Sequence, residues 1–498
     1  MTIDVGLRAA PPEATLQTPT ALWIAAAAVL FIALVLRWAI PFNVDVSWWL
    51  IVGERVLDGQ RLYVDILETN PPMAGAVYVV AAVIARALHL RPELVTDALV
   101  FALIAASLGI AWRLLRGRPA AGPLAVWALA LLTILPMYDF GQREHLALIF
   151  MLPALAVYIR RADRAKVSLA AVLLAGVSAA ITMSFKPYFA LAVAASILAA
   201  ALFARQWRVL FAGENWLAAA LVAIHVGWLA VAFPDYFTLI YPMVRDVYLL
   251  LTAPYIALLV SGAMTLCIAC VLAVLVLRRG HQLDAVLAVL LAATFGFAVA
   301  FVVQRKGWGY HAYPMVALPL MALGYAIATM DRAAMRWRTW RIGASAIAAV
   351  IFANACLWFN ASVDVRDIEA AVARLGPHPK ILMLSGAATL GHPMVRDLEG
   401  TWVSRQEALL IREIVRRARQ DTTFDAATSA RLDAHVARER DGLVADFRKL
   451  PPDIVLVDNR DSDWSGWAAA DPELSELLKP YVLAETIRGV DILRRAAP

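Results

Sequence analysis

The polarity pattern divides the chain in two. Between residues 21 and 359, long apolar stretches alternate with short polar ones; from 360 to 498, charges recur often and the apolar runs are short. The apolar stretches fall near 21–41, 97–115, 122–138, 146–160, 167–185, 188–204, 215–233, 255–277, 283–303, 313–330 and 342–359. A helix of roughly 17–25 residues crosses a bilayer core, so these predict eleven spans, with 146–160 the shortest. A further apolar run, 73–90, does not fit that count, because as a span it would reverse every later loop. It predicts a juxtamembrane or re-entrant helix on the outer side. Residues 1–20 are polar and lack the basic start and small-residue cleavage site of a secretory signal. They predict a cytoplasmic tail before an uncleaved first span.

Loop charge orients the spans. Alternate loops carry Arg113, Arg116 and Arg118; Arg160, Arg161, Arg164 and Lys166; Arg205 and Arg208; Arg278 and Arg279; and Arg332, Arg336, Arg338 and Arg341, fifteen basic residues in all. The opposing short loops hold six: Arg91, Arg143, Lys186, Arg245, Arg305 and Lys306. Cytoplasmic loops are the richer in Lys and Arg, which places the first set inside and the loops with 42–96 outside, with the C-terminal domain periplasmic. The formal net charge of +6 then reflects loop orientation rather than a nucleic-acid partner.

Composition agrees: 62% of residues are hydrophobic and 17% charged, against about 45–50% and about 25% in soluble domains. The three cysteines are too few for a disulfide framework. Cys267 and Cys270 lie in an apolar run and read as packing residues. Beyond 360, Lys380–Ser385 and Asp453–Asp458 predict buried strands and 490–494 an alternating one, with 404–448 helical between them. The fold class expected is therefore an α-helical polytopic membrane protein, residues 21–359, with a C-terminal extramembrane α/β domain, residues 360–498.

Candidate chemistry gathers in the outer loops. Asp45 lies a few residues beyond the first span, where its carboxylate is held near the membrane plane and is placed to take a proton from a hydroxyl. Residues 46–57 have helical spacing of apolar and polar positions, which suits an interfacial amphipathic helix. Glu68 and Asn70 close the same loop as candidate substrate ligands. The competing reading is a solvated loop in which Asp45 caps the following helix. A second cluster, Tyr138-Asp139-Phe140-Gly141-Gln142-Arg143-Glu144-His145, places polar groups at a bilayer edge, where they are costly unless paired or functional. Here Glu144 and His145 are candidates to orient a substrate, hold a metal or tune Asp45, and Arg143 to contact substrate, against a helix cap with an Arg–acid pair. Glu-His alone is not a metal signature, since no second ligand pair stands at matching helical spacing.

The third cluster, Gln304-Arg305-Lys306-Gly307-Trp308-Gly309-Tyr310-His311, places two cations on the outer side. A phosphate at the membrane surface is the natural counterion. Trp308, Tyr310 and His311 are candidate sugar contacts, and the glycines allow close backbone approach; the alternative is head-group contact with an aromatic belt. Lys186 is a further outer cation, for the phosphate or for snorkelling.

An acid just beyond the first span, Asp58-Gly59-Gln60-Arg61-Leu62-Tyr63, and Asn70-Pro71-Pro72 together resemble the GT-C superfamily of integral-membrane glycosyltransferases. Its members include the lipid A aminoarabinose transferases and the protein O-mannosyltransferases. The resemblance covers about residues 21–330. It implies that Asp45 is the catalytic or orienting carboxylate, that Glu144 or Asp139 is a second acid, and that Lys306 and Arg305 bind a lipid phosphate. The activity implied is transfer of a sugar from a polyprenyl-phosphate donor; no cofactor is expected and no metal is required, since the loop cations can neutralise the departing phosphate. The acceptor would be a glycan, lipid or protein on the periplasmic face of a bacterial inner membrane. The Glu-His pair and the Lys306–His311 string depart from the best-known members.

Two other classes fit eleven spans. A transporter or lipid flippase would carry charges within its spans and an inverted repeat, whereas here the charges concentrate in outer loops. A polysaccharide polymerase or ligase using diphosphate-linked donors would also work outside, and Asp45 separates it only weakly.

Overall fold

A computed structural model describes residues 19–330 and 337–496; the expected N-terminal tail, all but its last two residues, and the basic residues Arg332 and Arg336 lie outside them. The first part is a helical bundle. Its first nine helices are α1 (Pro19–Ala39), α2 (Val44–Leu57), α3 (Ala76–Leu88), α4 (Pro92–Leu115), α5 (Ala121–Thr133), α6 (Arg143–Ala162), α7 (Leu169–Phe185), α8 (Ala190–Ala204) and α9 (Gly213–Ala232). Two short helices, α10 (Tyr241–Asp246) and α11 (Tyr255–Leu259), precede α12 (Gly262–Leu277), α13 (Ala285–Gln304), α14 (Tyr313–Ala328) and α15 (Trp337–Phe359).

Each of the eleven expected spans falls on one of these helices. Among the described residues, eight helical segments are long and apolar enough to cross a membrane, and α5, α7 and α12 are shorter apolar helices. Local chemistry explains where the ends moved. The run 122–138 stops at Thr133 because Pro136 follows in a turn of 3-10 helix. The run 146–160 starts three residues earlier, so Arg143, Glu144 and His145 form the first turn of a 20-residue helix. The run 255–277 breaks at Ser261, whose hydroxyl accepts from the Met264 amide and starts α12.

The two ends of the bundle differ in kind. At one end the loop arginines are tied down: Arg161 makes a bidentate pair with Glu214 (2.8 and 2.9 Å), Arg118 pairs with Asp163, and Arg164 donates to the Ala204 carbonyl. The other end carries the candidate site and the C-terminal domain. Helix α3 starts there, with Tyr78 donating to the Gly141 carbonyl, and the chain leaves it there, with Glu93 bonded to Arg396. It therefore begins and ends on one side of the bundle.

Helix α2 differs from the amphipathic expectation. Residues 46–53 are all buried, because α3 and the C-terminal domain cover what would otherwise face solvent. Gly75 permits the α2–α3 packing: a Cβ there would lie 2.2 Å from the Trp49 ring. Gly296 plays the same part between α13 and α8, where a Cβ would fall 2.4 Å from the Ala192 Cα. Such small residues are what let membrane helices approach closely.

The C-terminal domain contains α16 (Arg366–Leu375), β1 (Lys380–Leu384), α17 (Met394–Asp397), β2 (Thr401–Trp402), α18 (Leu410–Asp421), α19 (Ala426–Lys449), β3 (Ile454–Asp458), α20 (Trp464–Ala470), α21 (Pro472–Leu478), β4 (Tyr481–Ile487) and β5 (Val490–Arg495). The sheet order is β2-β1-β3-β5-β4, with β2, β1 and β3 parallel and β5 antiparallel to β3 and β4. The three expected strands are present. Two were missed: β2 has only two residues, and β4 is mostly exposed and so shows no apolar alternation. The expected helix 404–448 is a strap followed by two helices, broken where Asp425 caps α19.

Candidate active site

The first turn of α2 is set by Asn43, whose side-chain oxygen accepts from the Asp45 and Val46 amides at 3.0 and 3.3 Å. The cap is therefore Asn43, and the capping role considered for Asp45 is not the one it has. Asp45 instead projects from the first turn, at the positive end of the helix dipole. Its Oδ2 accepts from Arg143 Nη2 at 2.9 Å. The Asp45 side chain is 19% exposed and that of Arg143 5%. A cation in the first turn of a helix opposes the dipole, so Arg143 is held there at a cost that Asp45 offsets.

Lys186 arrives by a different route. It precedes Pro187, and a residue before proline is pushed out of the helical region. At φ −150° and ψ 130° it leaves α7 and turns into the site. Its ammonium donates to Glu144 Oε1 at 2.5 Å and lies 2.8 Å from His311 Nε2. Lysine has only donors, so His311 Nε2 accepts and its proton lies on Nδ1. Glu144 is fully buried, and a buried carboxylate of this kind needs such a cation.

Five polar atoms here are buried yet find no hydrogen-bond partner among the described residues. They are Arg143 Nε and Nη1, His311 Nδ1, Glu144 Oε2 and Glu407 Oε1. Most buried polar groups are satisfied. Donors and acceptors left open together suit a ligand with both an anionic and a hydroxyl face.

The late loop frames one side. Lys306 donates to the Tyr248 and Leu251 carbonyls at 2.7 and 2.8 Å and stacks 3.9 Å from the Tyr248 ring centroid. Burial, and then the charge of Lys186, lower its ammonium to about 8. Trp308 packs against Tyr248, Tyr310 and His311, and Lys186 lies 5.6 Å from the Tyr310 ring centroid. The first loop frames the other side. Glu68 accepts from Trp48 Nε1 at 2.7 Å, and from the Asn70 amide and side chain at 2.8 and 2.7 Å.

The structure thus brings Asp45, Arg143, Glu144, Lys186, Tyr310 and His311 together, with Glu68, Asn70, Trp308 and Lys306 around them. Two expectations need correction. His145 does not face the site: Nδ1 accepts from the Gly141 amide at 3.0 Å and Nε2 lies 2.8 Å from the Leu132 carbonyl. It fastens the α5–α6 turn instead. Arg305 turns away, lying 4.4 Å from the Tyr255 ring centroid and 3.4 Å from the Ala253 carbonyl. Asp139, the alternative second acid, lies behind Asn43, which donates to it at 3.4 Å. Burial, then Glu144 and Asp45, hold its carboxyl well above the usual carboxylate range.

Sequence reasoning missed Glu407, Tyr248 and Trp48. Glu407 comes from the C-terminal domain and joins the site only through long-range pairing, so no local signal marks it. Among the described residues no three His, Cys, Asp or Glu side chains gather in a metal-ligating group.

The whole architecture, a helical bundle with this loop site under a small α/β domain, has a counterpart among solved structures. It aligns with ArnT from Cupriavidus metallidurans bound to undecaprenyl phosphate at a TM-score of 0.58 and 14% identity, covering 96% of this chain and 99% of that one. The same protein in the apo state gives 0.56 and 13%, with the same coverage. An oligosaccharyltransferase from Archaeoglobus fulgidus in complex with Zn and sulfate gives 0.46 and 13%, covering 95% of this chain and 73% of that one. At these identities the likeness to ArnT is one of fold. No protein-family model matches the chain, and no curated protein matches it by sequence.

Proposed function

We propose that the protein is a GT-C-type glycosyltransferase that moves a sugar from a polyprenyl-phosphate donor to a hydroxyl on a glycan, lipid or protein acceptor. The observation that carries this reading is the Asp45–Arg143 pair beside Glu144–Lys186–His311 at one end of a bundle folded like ArnT. A lipid-linked donor fits the architecture, because its tail stays in the bilayer while its phosphate reaches the loop cations.

In this scheme the acceptor oxygen attacks the anomeric carbon, and Asp45 takes the hydroxyl proton. The bond from the anomeric carbon to the phosphate oxygen breaks, and the phosphate leaves with the electron pair. Lys186, the open Arg143 donors and Lys306 neutralise it. Glu144 acts through Lys186 and is a positioning residue. The scheme uses side-chain charge throughout and calls for no cofactor.

Loop charge supports an outer-facing site in a bacterial inner membrane. In intact cells, Arg61→Cys should then react with an impermeant thiol reagent and Arg116→Cys should not.

The donor reading is tested with the full chain in nanodiscs. Undecaprenyl phosphate should raise the Tm, by mass action on a folded-state site, and undecaprenol should not. An equal response to both, or to neither, would contradict a phosphate-recognising donor site.

A further inference from the structure

The C-terminal domain reaches the site through residues 403–409, which leave the carboxyl end of β2. Open α/β sheets present ligands at the carboxyl ends of their parallel strands, and here that edge faces the bundle. From the domain side, Arg405 holds Asp446 through its amide (2.7 Å) and guanidinium (2.8–3.1 Å), while Trp402 Nε1 donates to the Gln406 carbonyl at 2.9 Å. From the bundle side, Arg55 donates to the Ser404 carbonyl at 2.8 Å and the Leu67 amide to the Arg405 carbonyl at 2.7 Å. Leu67 and Gln406 form a parallel bridge, so the next register position sets Glu407 beside Glu68.

The three carboxylates on this wall differ in what they already hold. Glu68 is occupied by Trp48 and Asn70, and Asp45 Oδ2 by Arg143. Glu407 Oε1 is buried with no partner among the described residues. Burial, then the charges of Asp45 and Glu68, hold its carboxyl well above the usual carboxylate range, with Arg143 opposing. Arg143 offsets Asp45, and the Glu68–Glu407 part of the wall, where carboxyls face the site, suits hydroxyls rather than phosphate.

We propose that Glu407 is a substrate-contacting residue of the transfer site, supplied by the C-terminal domain, whose open oxygen takes a hydroxyl of the transferred sugar or of the acceptor on the wall facing the loop cations. This rests on the glycosyltransferase reading. It gives the C-terminal domain a direct part in transfer: the site is complete only with the strap in place.

The test uses the full chain in nanodiscs, a panel of undecaprenyl-phosphate-linked pentoses and hexoses, and a membrane extract as acceptor source. Glu407→Ala should lower turnover by about 10- to 100-fold, the size of losing one buried hydrogen bond to substrate. Glu407→Gln should lower it less, while its Tm stays at or above the parental value, because an uncompensated buried carboxyl is removed. The Tm rise with undecaprenyl phosphate should persist in both, since the phosphate lies on the cation side. Loss of transfer with slow donor hydrolysis kept assigns the hydroxyl to the acceptor; loss of both assigns it to the donor sugar. Parental turnover in Glu407→Ala, or a Tm loss in Glu407→Gln that accounts for its inactivity, would overturn the inference and leave an active wild type as a glycosyltransferase. A wild type inactive on the whole panel would overturn both.

Discussion

The two sides of the site are built differently. On the side of the first loop and α6, Asp45, Arg143, Glu144 and Lys186 pair with one another, each held by helix ends and nearly all buried. On the side of the late loop, Lys306 and Arg305 spend their donors on backbone carbonyls of the 248–253 segment. The first is a preorganised charge network that leaves atoms open for a ligand. The second is a clasp between two loops that has one ammonium donor to spare. Reaction chemistry belongs with preorganised charge, so the first side should carry turnover and the second should tune affinity.

The largest effect expected is that of Asp45→Asn. General-base catalysis contributes about 10²–10⁴-fold, and turnover should fall on that scale. Asn still accepts from Arg143, so the Tm rise with undecaprenyl phosphate should persist. Near-parental turnover would move the chemistry off this side.

Lys186→Met probes the same side through stability. It strands a fully buried Glu144, which costs about 3–5 kcal/mol when one partner of such a pair is lost. Thermal unfolding should show the loss, and the double variant with Glu144→Gln should recover much of it. An unchanged Tm in the single variant would show that the pair is no anchor.

A smaller loss is expected at the domain contact. Arg396 binds Glu54 (2.7 and 3.1 Å) and Glu93 (2.5 Å) from the bundle. Arg396→Ala should weaken docking by about 2 kcal/mol, at the low end for such pairs because Glu54 is 34% exposed. Proteolysis of the C-terminal domain in nanodiscs would report it, and unchanged protection would contradict the contact.

The smallest effect concerns Lys306. Its ammonium is lowered to about 8 from an ordinary 10.5 by burial and Lys186. Between those values the unfolded chain holds a proton that the folded chain lacks, so this group's contribution to stability rises with pH. Its charge on the phosphate is lost over the same window. Donor KM should therefore rise about threefold to tenfold above pH 8, and Lys306→Arg should flatten that rise. A flat wild-type profile would remove Lys306 from the phosphate.

The polarity pattern carried the helices because lipid-facing sequence has little freedom, and Asp45 stood out as a charge stranded between apolar runs. Arg143 and Glu144 were legible for the same reason. His145 was misread because the Gly141 amide and the Leu132 carbonyl that satisfy it are backbone groups, which no side-chain motif reveals. Arg305 was misread because loop cations look alike until the segment they clasp is known. Glu407 was invisible: its role depends on a two-residue strand and a single bridge to Leu67. Helix ends shifted where Pro136 and Ser261 overrode hydropathy.

The central claim turns on the fate of the sugar–phosphate bond. With the wild-type chain in sealed vesicles, an undecaprenyl-phosphate sugar labelled in the sugar should release undecaprenyl phosphate as the label appears in acceptor. A donor that crosses the bilayer with its sugar–phosphate bond intact would contradict the account and make the protein a lipid carrier.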